Sequence, residues 1–500
     1  MPWISNAGKR TISSIVLILA CSLVIWYSLY IQFSAPTLYG EDSYYHLAIA
    51  RFIKDFGPRY EFHWAQFSTF KDCFSDKDFL FHVSIIPFLY LAKDIVLSGK
   101  YAVIFYDLLF LLAYVFILRR YLPNLMCIFF LVLPFLSSTF NFYLSTLRAV
   151  TLANILTILG IYFLINKKWI KLLLLTLFYS LSHVTFIMFL VYAVIAEIIR
   201  YFVHKEFFLK NIYAVGIGMA LGFFLHPNFP HNFLSFYLNG ILINFYSFIN
   251  PGIDFGEELF SLPSKIVFLS NFAVFFTLNI ILWMSLSAKI KISLSTFIWW
   301  ACSSIYIFLA SFSNRYWYNA NILFFIFFAS YLNDWIQERG WQRAVPKIKL
   351  FVLVYLMIVG VFVNFTFKGI KDTIDSQVSL NLHYENVARW MEKNIPAGEI
   401  IYHSFWYDSP YFVCLNPKDD YIVVLDPIYM FWRYPREYSI YKKLAEGRIY
   451  EIREVINKIF KANYGYVRKD AKLYKEIVND PTDFKILYED YLGIVFKIVK

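Results

Sequence analysis

The sequence predicts a polytopic α-helical membrane protein of about eleven transmembrane helices with a C-terminal external α/β domain. Three observations predict it. First, 59% of the 500 residues are hydrophobic and 16% are charged, against about 25% charged in soluble domains, and mean hydropathy is +0.54. Second, apolar runs of membrane-crossing length alternate with short segments rich in Lys and Arg. Third, the composition turns soluble from Lys368 onward.

The charge balance fits this class. A net charge of +11 records cytoplasmic Lys/Arg loops, so it does not argue for nucleic acid as a partner. The five cysteines have no repeated spacing and no C-x-x-C, so neither a disulfide framework nor a zinc site is implied.

The elements follow in order. Residues 11–33 are apolar and long enough to span; Lys9 and Arg10 hold the N-terminus in the cytoplasm and place Ser34 outside. Residues 34–100 form a long external loop. It opens with a short amphipathic helix around Asp42-Ser43-Tyr44-Tyr45-His46 and holds a second cluster, Asp76-Lys77-Asp78 with His82. The apolar piece 83–97 is read as interfacial, because a span there would put Arg119 and Arg120 outside. The spans that follow cover residues 101–118, 124–138, 148–165, a run 169–201 broken near Ser182-His183, then 212–225, 266–286, 293–312, 318–335 and 350–367. Every short cytoplasmic loop in this arrangement is basic. The predicted domains are 1–367 in the membrane and 368–500 outside. In the latter, 399–403, 421–425, 464–467, 484–488 and 491–499 read as strands, and 385–394 and 449–461 as helices.

The unusual polar residues at membrane edges all fall on the external side: Asp42, His46, Asp76, Asp78, His82, Arg148, His183, His226, His231 and Arg315. Ionisable groups near a membrane are costly and point to function. Asp42/His46 and Asp78/His82 repeat one i, i+4 acid–imidazole spacing, which puts each pair on one helix face. Together the four can hold a divalent cation; an oxygen-rich set suits Mg2+ or Mn2+ better than zinc. Blander readings stand beside these. His46 and His82 can simply donate hydrogen bonds in a packed loop, and the first helix can present a solvated charged edge. Asp76 can cap a turn, His183 can be satisfied at a hairpin tip, His226 sits in a helix-ending Pro-rich stretch, and Arg315 can snorkel to the headgroups.

A first span followed by an external loop that opens with Asp-x-Tyr-Tyr-His resembles the GT-C superfamily of membrane glycosyltransferases, most of all the oligosaccharyltransferase catalytic subunits of bacteria and archaea. Asn314-Arg315-Tyr316-Trp317-Tyr318 resembles their Arg-Phe-x-x-Tyr. Trp406-x-Asp408, Asn416-Pro417 and 421–427 look like a segment of uncharacterised bacterial members. Two features depart from the oligosaccharyltransferases. The second external loop, 139–147, carries no acid, and Ser404-Phe405-Trp406-Tyr407-Asp408 is only a distant echo of their acceptor motif. Transferases that use a monosaccharide on a polyprenyl phosphate fit as well.

The resemblance implies an inverting glycosyltransferase in the cytoplasmic (inner) membrane, its C-terminal domain periplasmic or extracellular. It moves sugar from a polyprenyl-phosphate-linked donor to a glycan, lipid or protein acceptor on the outer face, with membrane lipid around it. Asp42 is the expected base on the acceptor hydroxyl, Asp76 or Asp78 a second acid, and Arg315 or Arg148 the holder of the lipid phosphate. A flippase for lipid-linked sugars is the alternative; Asp107 is its clearest mid-span acid. A non-catalytic membrane subunit is a third reading.

Overall fold

The computed structural model describes residues 6–249, 252–287 and 290–499. Its chain forms two compact units that interleave along the sequence. The first comprises Met1–Ala35, Lys100–Phe224 and Glu258–Asp375; the second comprises Pro36–Gly99, Leu225–Glu257 and Ser376–Lys500.

The first unit is helical. Among the described residues, three helices are long and apolar enough to cross a membrane: Thr11–Ser34, Ile95–Leu118 and Val184–His204. Two bent pairs raise the number to five. Asn124–Leu136 meets Ser138–Ser145 at 88°, and Ser264–Ser270 meets Phe272–Leu286 at 79°. The expected eleven spans are therefore not reached by length. Ala149–Ile165, Trp169–Ser180, Lys210–Leu225 and Leu294–Ala310 are apolar but have 10–17 residues, against about 20 for a full crossing. Breaks shorten them. The run expected to turn near Ser182-His183 does stop there: the helix ends at Ser180 and a 3-10 turn, Val184–Ile187, begins. The last expected span, 350–367, lies within a 54-residue helix, Trp341–Asn394; most of its side chains lie outside the described residues.

The helix Trp317–Arg339 is buried along nearly its whole length. It carries Asn319, Asn321, Ser330 and Asp334, too polar for a lipid-facing span, and each bonds a neighbouring helix or turn. Asn319 donates to Asn154 (2.7 Å) and Asn321 to Asn271 (2.8 Å), and Thr296 bonds Ser330 (2.6 Å) and Asp334 (2.7 Å). Such bonds glue helices together where there is no water to compete. The two helix breaks also meet, since Ser137 Oγ donates to Asn271 Oδ1 at 2.9 Å.

Lys210–Leu225 crosses Trp169–Ser180 through Gly218 and Gly222, a small-xxx-small pair. A Cβ at Gly218 collides with Thr176 Oγ1 and the Leu173 carbonyl, and one at Gly222 collides with Ser180 Oγ. Backbone cannot step aside. Gly218→Val is expected to cost about 1–3 kcal/mol, read as a lower unfolding midpoint in detergent. Gly216→Val is the control, because a Cβ there meets open space. Equal midpoints for the two variants would refute the crossing.

In the second unit, Glu41–Phe56 packs against Phe79–Leu91 and Ser409–Leu415. Phe79–Leu91 has 13 residues, about 20 Å of helix, too short to cross a bilayer and in keeping with an interfacial piece. Strands β1 (Ile400–His403), β2 (Asp420–Tyr421), β3 (Tyr464–Arg468), β4 (Phe484–Glu489) and β5 (Gly493–Ile498) form one sheet in the order β2-β1-β3-β5-β4. The pairs β1–β2 and β1–β3 are parallel; β3–β5 and β4–β5 are antiparallel. The expected strand at 421–425 is reduced to β2, because the chain turns at Leu425 with a positive φ (62°) just before Pro427. Residues 64–67 close that edge of the sheet. Tyr421 N donates to the Trp64 carbonyl (2.8 Å), Gln66 N to Tyr421 O (2.9 Å) and Phe67 N to Ile422 O (2.8 Å).

Asp408 lies fully buried in this unit, accepting from Tyr384 Oη (2.5 Å) and Phe405 N (3.2 Å). Burial raises its carboxyl to about 7, against the pull of Tyr384 and Arg468. A carboxyl whose folded value exceeds its unfolded value of about 3.9 binds more protons when folded. Its contribution to stability is complete below about pH 4 and is lost as pH rises through about 7. Asp408→Asn does not titrate. It keeps the Tyr384 bond and loses the Phe405 bond, at about 1 kcal/mol. The unfolding midpoint of the variant is therefore expected to be lower at pH 4 and to fall less between pH 4 and 7. Parallel profiles would show that Asp408 does not titrate there.

Candidate active site and metal centre

Glu41–Phe56 begins just after Gly40, whose φ of 72° suits glycine. Glu41 and Asp42 occupy its first turn, where the helix dipole favours acids. Ten of its residues are buried, and His46 is 6% exposed; Glu41, Arg51 and Lys54 are half-buried and Asp55 is exposed, so a charged edge remains. Asp42 is half-buried.

The second helix, Phe79–Leu91, starts after Asp78. Asp76 organises its entry. One carboxylate oxygen accepts from Asp78 N (3.0 Å), and the other lies 2.7 Å from His82 Nδ1. The opposite nitrogen of that ring, Nε2, lies 2.7 Å from His46 Nδ1. With neutral rings, His82 donates to Asp76 from Nδ1 and accepts at Nε2 from His46 Nδ1–H. Asp76, His82 and His46 thus form one buried chain.

Asp78 completes the centre. Ligand atoms of His46, Asp78 and His82 lie within 4.8 Å of one another. Asp78 is 1% exposed, and its Oδ1 is buried without a hydrogen-bond partner. Burial raises the Asp78 carboxyl to about 6; Lys77 and His82 oppose the shift, and Asp76 and Asp42 add to it. Two imidazoles, an orphaned carboxylate oxygen and a carboxylate behind one imidazole fit a divalent cation, which would replace the proton between the rings. Asp42 is not in this three-residue group, so the set is richer in nitrogen than the four residues expected from sequence.

His226 supports Asp76 without joining the group. Its Nε2 donates to the Asp76 carbonyl (3.0 Å), and its Nδ1 accepts from Asn228 N (3.1 Å). Asn228 Oδ1 in turn accepts from Asp76 N (3.3 Å). Burial lowers the His226 pKa, against the pull of Asp76, which matches a neutral ring. The His231 ring lies tilted against that of Tyr60, with centroids 4.9 Å apart.

Arg148 and Arg315 belong to the first unit and converge on an acid that the sequence did not single out. Arg148, just before Ala149–Ile165, grips Glu258 with both nitrogens of its fork (2.8 and 3.2 Å). Tyr143 Oη donates to the same carboxylate (2.9 Å), and its ring lies beneath the Arg148 guanidinium. Burial works to raise the Glu258 carboxyl, but Arg148 and then Arg315 outweigh it and hold the group well below the usual range. Arg315 sits in the 3-10 turn Asn314–Tyr316, its guanidinium over the Tyr316 ring. The same turn fixes the Glu258 backbone. Ser313 Oγ donates to the Glu258 carbonyl (2.9 Å), and Asn314 N to the Phe260 carbonyl (3.0 Å). Tyr318 stacks on Tyr143 at 5.3 Å. His183 is engaged elsewhere in this unit, capping its turn through Thr185 (2.7 Å to Oγ1). The mid-span acid Asp107 is buried and bonded to Ser28.

A helical unit with broken helices and a unit in which the first loop packs with a C-terminal sheet make up a fold that solved structures share. No family model matches the chain, and no curated protein matches it. Among solved structures, the archaeal oligosaccharyltransferase AglB from Archaeoglobus fulgidus, in complex with an inhibitory peptide and a dolichol-phosphate, is similar with a TM-score of 0.57 at 12% identity, over 98% of this chain and 75% of that one. ArnT from Cupriavidus metallidurans in the apo state is similar with a TM-score of 0.59 at 12% identity, over 98% of each chain. The same protein bound to undecaprenyl phosphate gives 0.58 over 99% of each chain. At this identity the likeness establishes the fold.

Proposed function

We propose that this protein is an integral-membrane glycosyltransferase that moves a sugar from a polyprenyl-phosphate-linked donor to an acceptor on the outer face of the cytoplasmic membrane. The N-terminus is cytoplasmic, residues 1–367 form the membrane part, and 368–500 lie outside. The observation that carries this reading is the buried Asp76–His82–His46 chain with Asp78, of which His46 lies one turn after Asp42 on the same helix. Asp42 takes the proton of the acceptor hydroxyl as the sugar transfers with inversion. Arg148 and Arg315 hold the donor phosphate; Arg148 does so by its charge, because its fork is engaged by Glu258. His46, Asp78 and His82 hold a divalent cation, with Asp76 orienting His82. Two nitrogens and one oxygen favour Mn2+ or a softer ion over Mg2+. When bound, the cation supplies positive charge to anionic groups at this centre.

The flippase alternative draws on one observation, the two bent helix pairs whose breaks meet at Ser137 and Asn271; broken helices in paired positions mark transporters. One assay separates the two. Membranes containing the protein are given a radiolabelled polyprenyl-phosphate-sugar pool. Label appearing on a new acceptor supports the transferase. Label that crosses the bilayer while still on its lipid overturns it in favour of the flippase.

A further inference from the structure

Glu258 stands where it affects which phosphate Arg148 and Arg315 will accept. A carboxylate held by both nitrogens of a guanidinium fork occupies the same directions as two phosphate oxygens. Here that carboxylate belongs to the protein and is held three ways: by the Arg148 fork, by Tyr143 Oη, and by a backbone pinned to Ser313 and Asn314. Arg315 also acts on it. Two guanidinium charges and one carboxylate charge sum to one positive charge.

That sum has a chemical meaning for the proposed reaction, on which this inference rests. A lipid-phosphate-sugar donor is a phosphodiester with one negative charge. The lipid phosphate left after transfer is a monoester carrying about −1.5 to −2 at neutral pH. We infer that Glu258 is a selectivity residue: it trims the arginine pair to a single positive charge, so that the site holds the diester donor and sheds the monoester product. Without it, two arginines would match the product better than the donor and retain it. The sequence places Arg148 and Arg315 167 positions apart, and Glu258 is the shared acid that links them.

The test uses the full chain in detergent micelles at pH 8, with geranylgeranyl phosphate as the monoester and its methyl ester as the diester. Affinities are measured by calorimetry for wild type, Glu258→Gln and Glu258→Asp. Glu258→Gln is expected to tighten monoester binding roughly tenfold more than diester binding, the effect of removing one unit charge a few ångströms away in a partly solvated site. Glu258→Asp keeps the charge and is expected to keep the wild-type ratio, which separates charge from shape. In transfer assays, Glu258→Gln is expected to show stronger inhibition by the monoester. If both lipids bind wild type and the ratio is the same in Glu258→Gln, the selectivity inference is wrong while the phosphate site stands. If neither lipid binds wild type, the arginine pair is not a phosphate site and both readings fall. Inorganic phosphate is expected to compete only weakly; displacement of the lipid by an equal concentration of it would overturn the assignment to a lipid phosphate.

Discussion

Asp42→Asn is expected to lower sugar transfer by about two to four orders of magnitude, the usual worth of a positioned general base, while the protein stays folded. Asn keeps the size of the side chain, removes the charge and the basicity, and turns one acceptor oxygen into a donor. The cost in fold stability is expected to be small, about 0.3–1 kcal/mol for one first-turn acid, because Asp42 is half-buried at a helix start and the burial that anchors this helix comes from Tyr44, Leu47, Ala48 and Ile49. Glu41 stands next to it in the same turn and tests the specificity of the claim. Glu41→Gln is expected to leave most of the transfer intact, since adjacent residues on a helix point about 100° apart. Transfer from the radiolabelled donor pool, with unfolding midpoints measured in parallel, gives the answer. Equal transfer by Asp42→Asn and wild type would make Asp42 structural and remove the base from the mechanism.

The second large effect is expected at Asp76, which does not belong to the three-ligand group. Asp76→Asn preserves the acceptor for Asp78 N but places an amide N–H against His82 Nδ1. The ring then adopts the other tautomer and carries its proton on Nε2, facing His46. The lone pair needed for His46 or for a cation is gone, although no ligand has been changed. Loss of such an orienting carboxylate typically weakens a metal site about 10- to 100-fold. Titration of the purified protein with Mn2+ and Zn2+, followed by calorimetry, is expected to show this loss for Asp76→Asn and a comparable loss for Asp78→Asn. Unchanged cation affinity in both would show that the centre is a hydrogen-bonded chain and holds no metal.

Much of this centre was legible because helical spacing is legible. Asp42 with His46, and Asp78 with His82, are four apart, and a membrane-edge position gave them weight. What spacing does not encode is pairing between helices. The contacts that matter run from His46 to His82 and from His82 back to Asp76, six residues earlier across a helix start. Arg148 and Arg315 stood out as lone cations at membrane edges, but Glu258 was one of three acids between residues 252 and 258, and nothing local marked its partner 110 positions away. The membrane part shows the same limit. Apolar runs were found from hydropathy, yet their breaks depend on small polar residues such as Ser137, whose hydroxyl accepts from Phe140 N and starts a new helix. The change of composition at Lys368 was visible, but Gly369 beside it does not end the helix, which runs on to Asn394.

The closing of the sheet edge by residues 64–67 has a consequence for the order in which the protein is made. The early loop relies on chain that the ribosome has yet to produce. Tyr44 donates to Glu385, Asn381 to the Leu38 carbonyl and Trp64 to the Pro417 carbonyl, across 341, 343 and 353 positions. At elongation rates of about 5–20 residues per second, this loop waits tens of seconds for its partners. Its aromatic and acidic side chains are threaded early and seated late, so a nascent chain carries Asp42 long before it can use it. The loop has its full set of these partners only once residue 417 has been made.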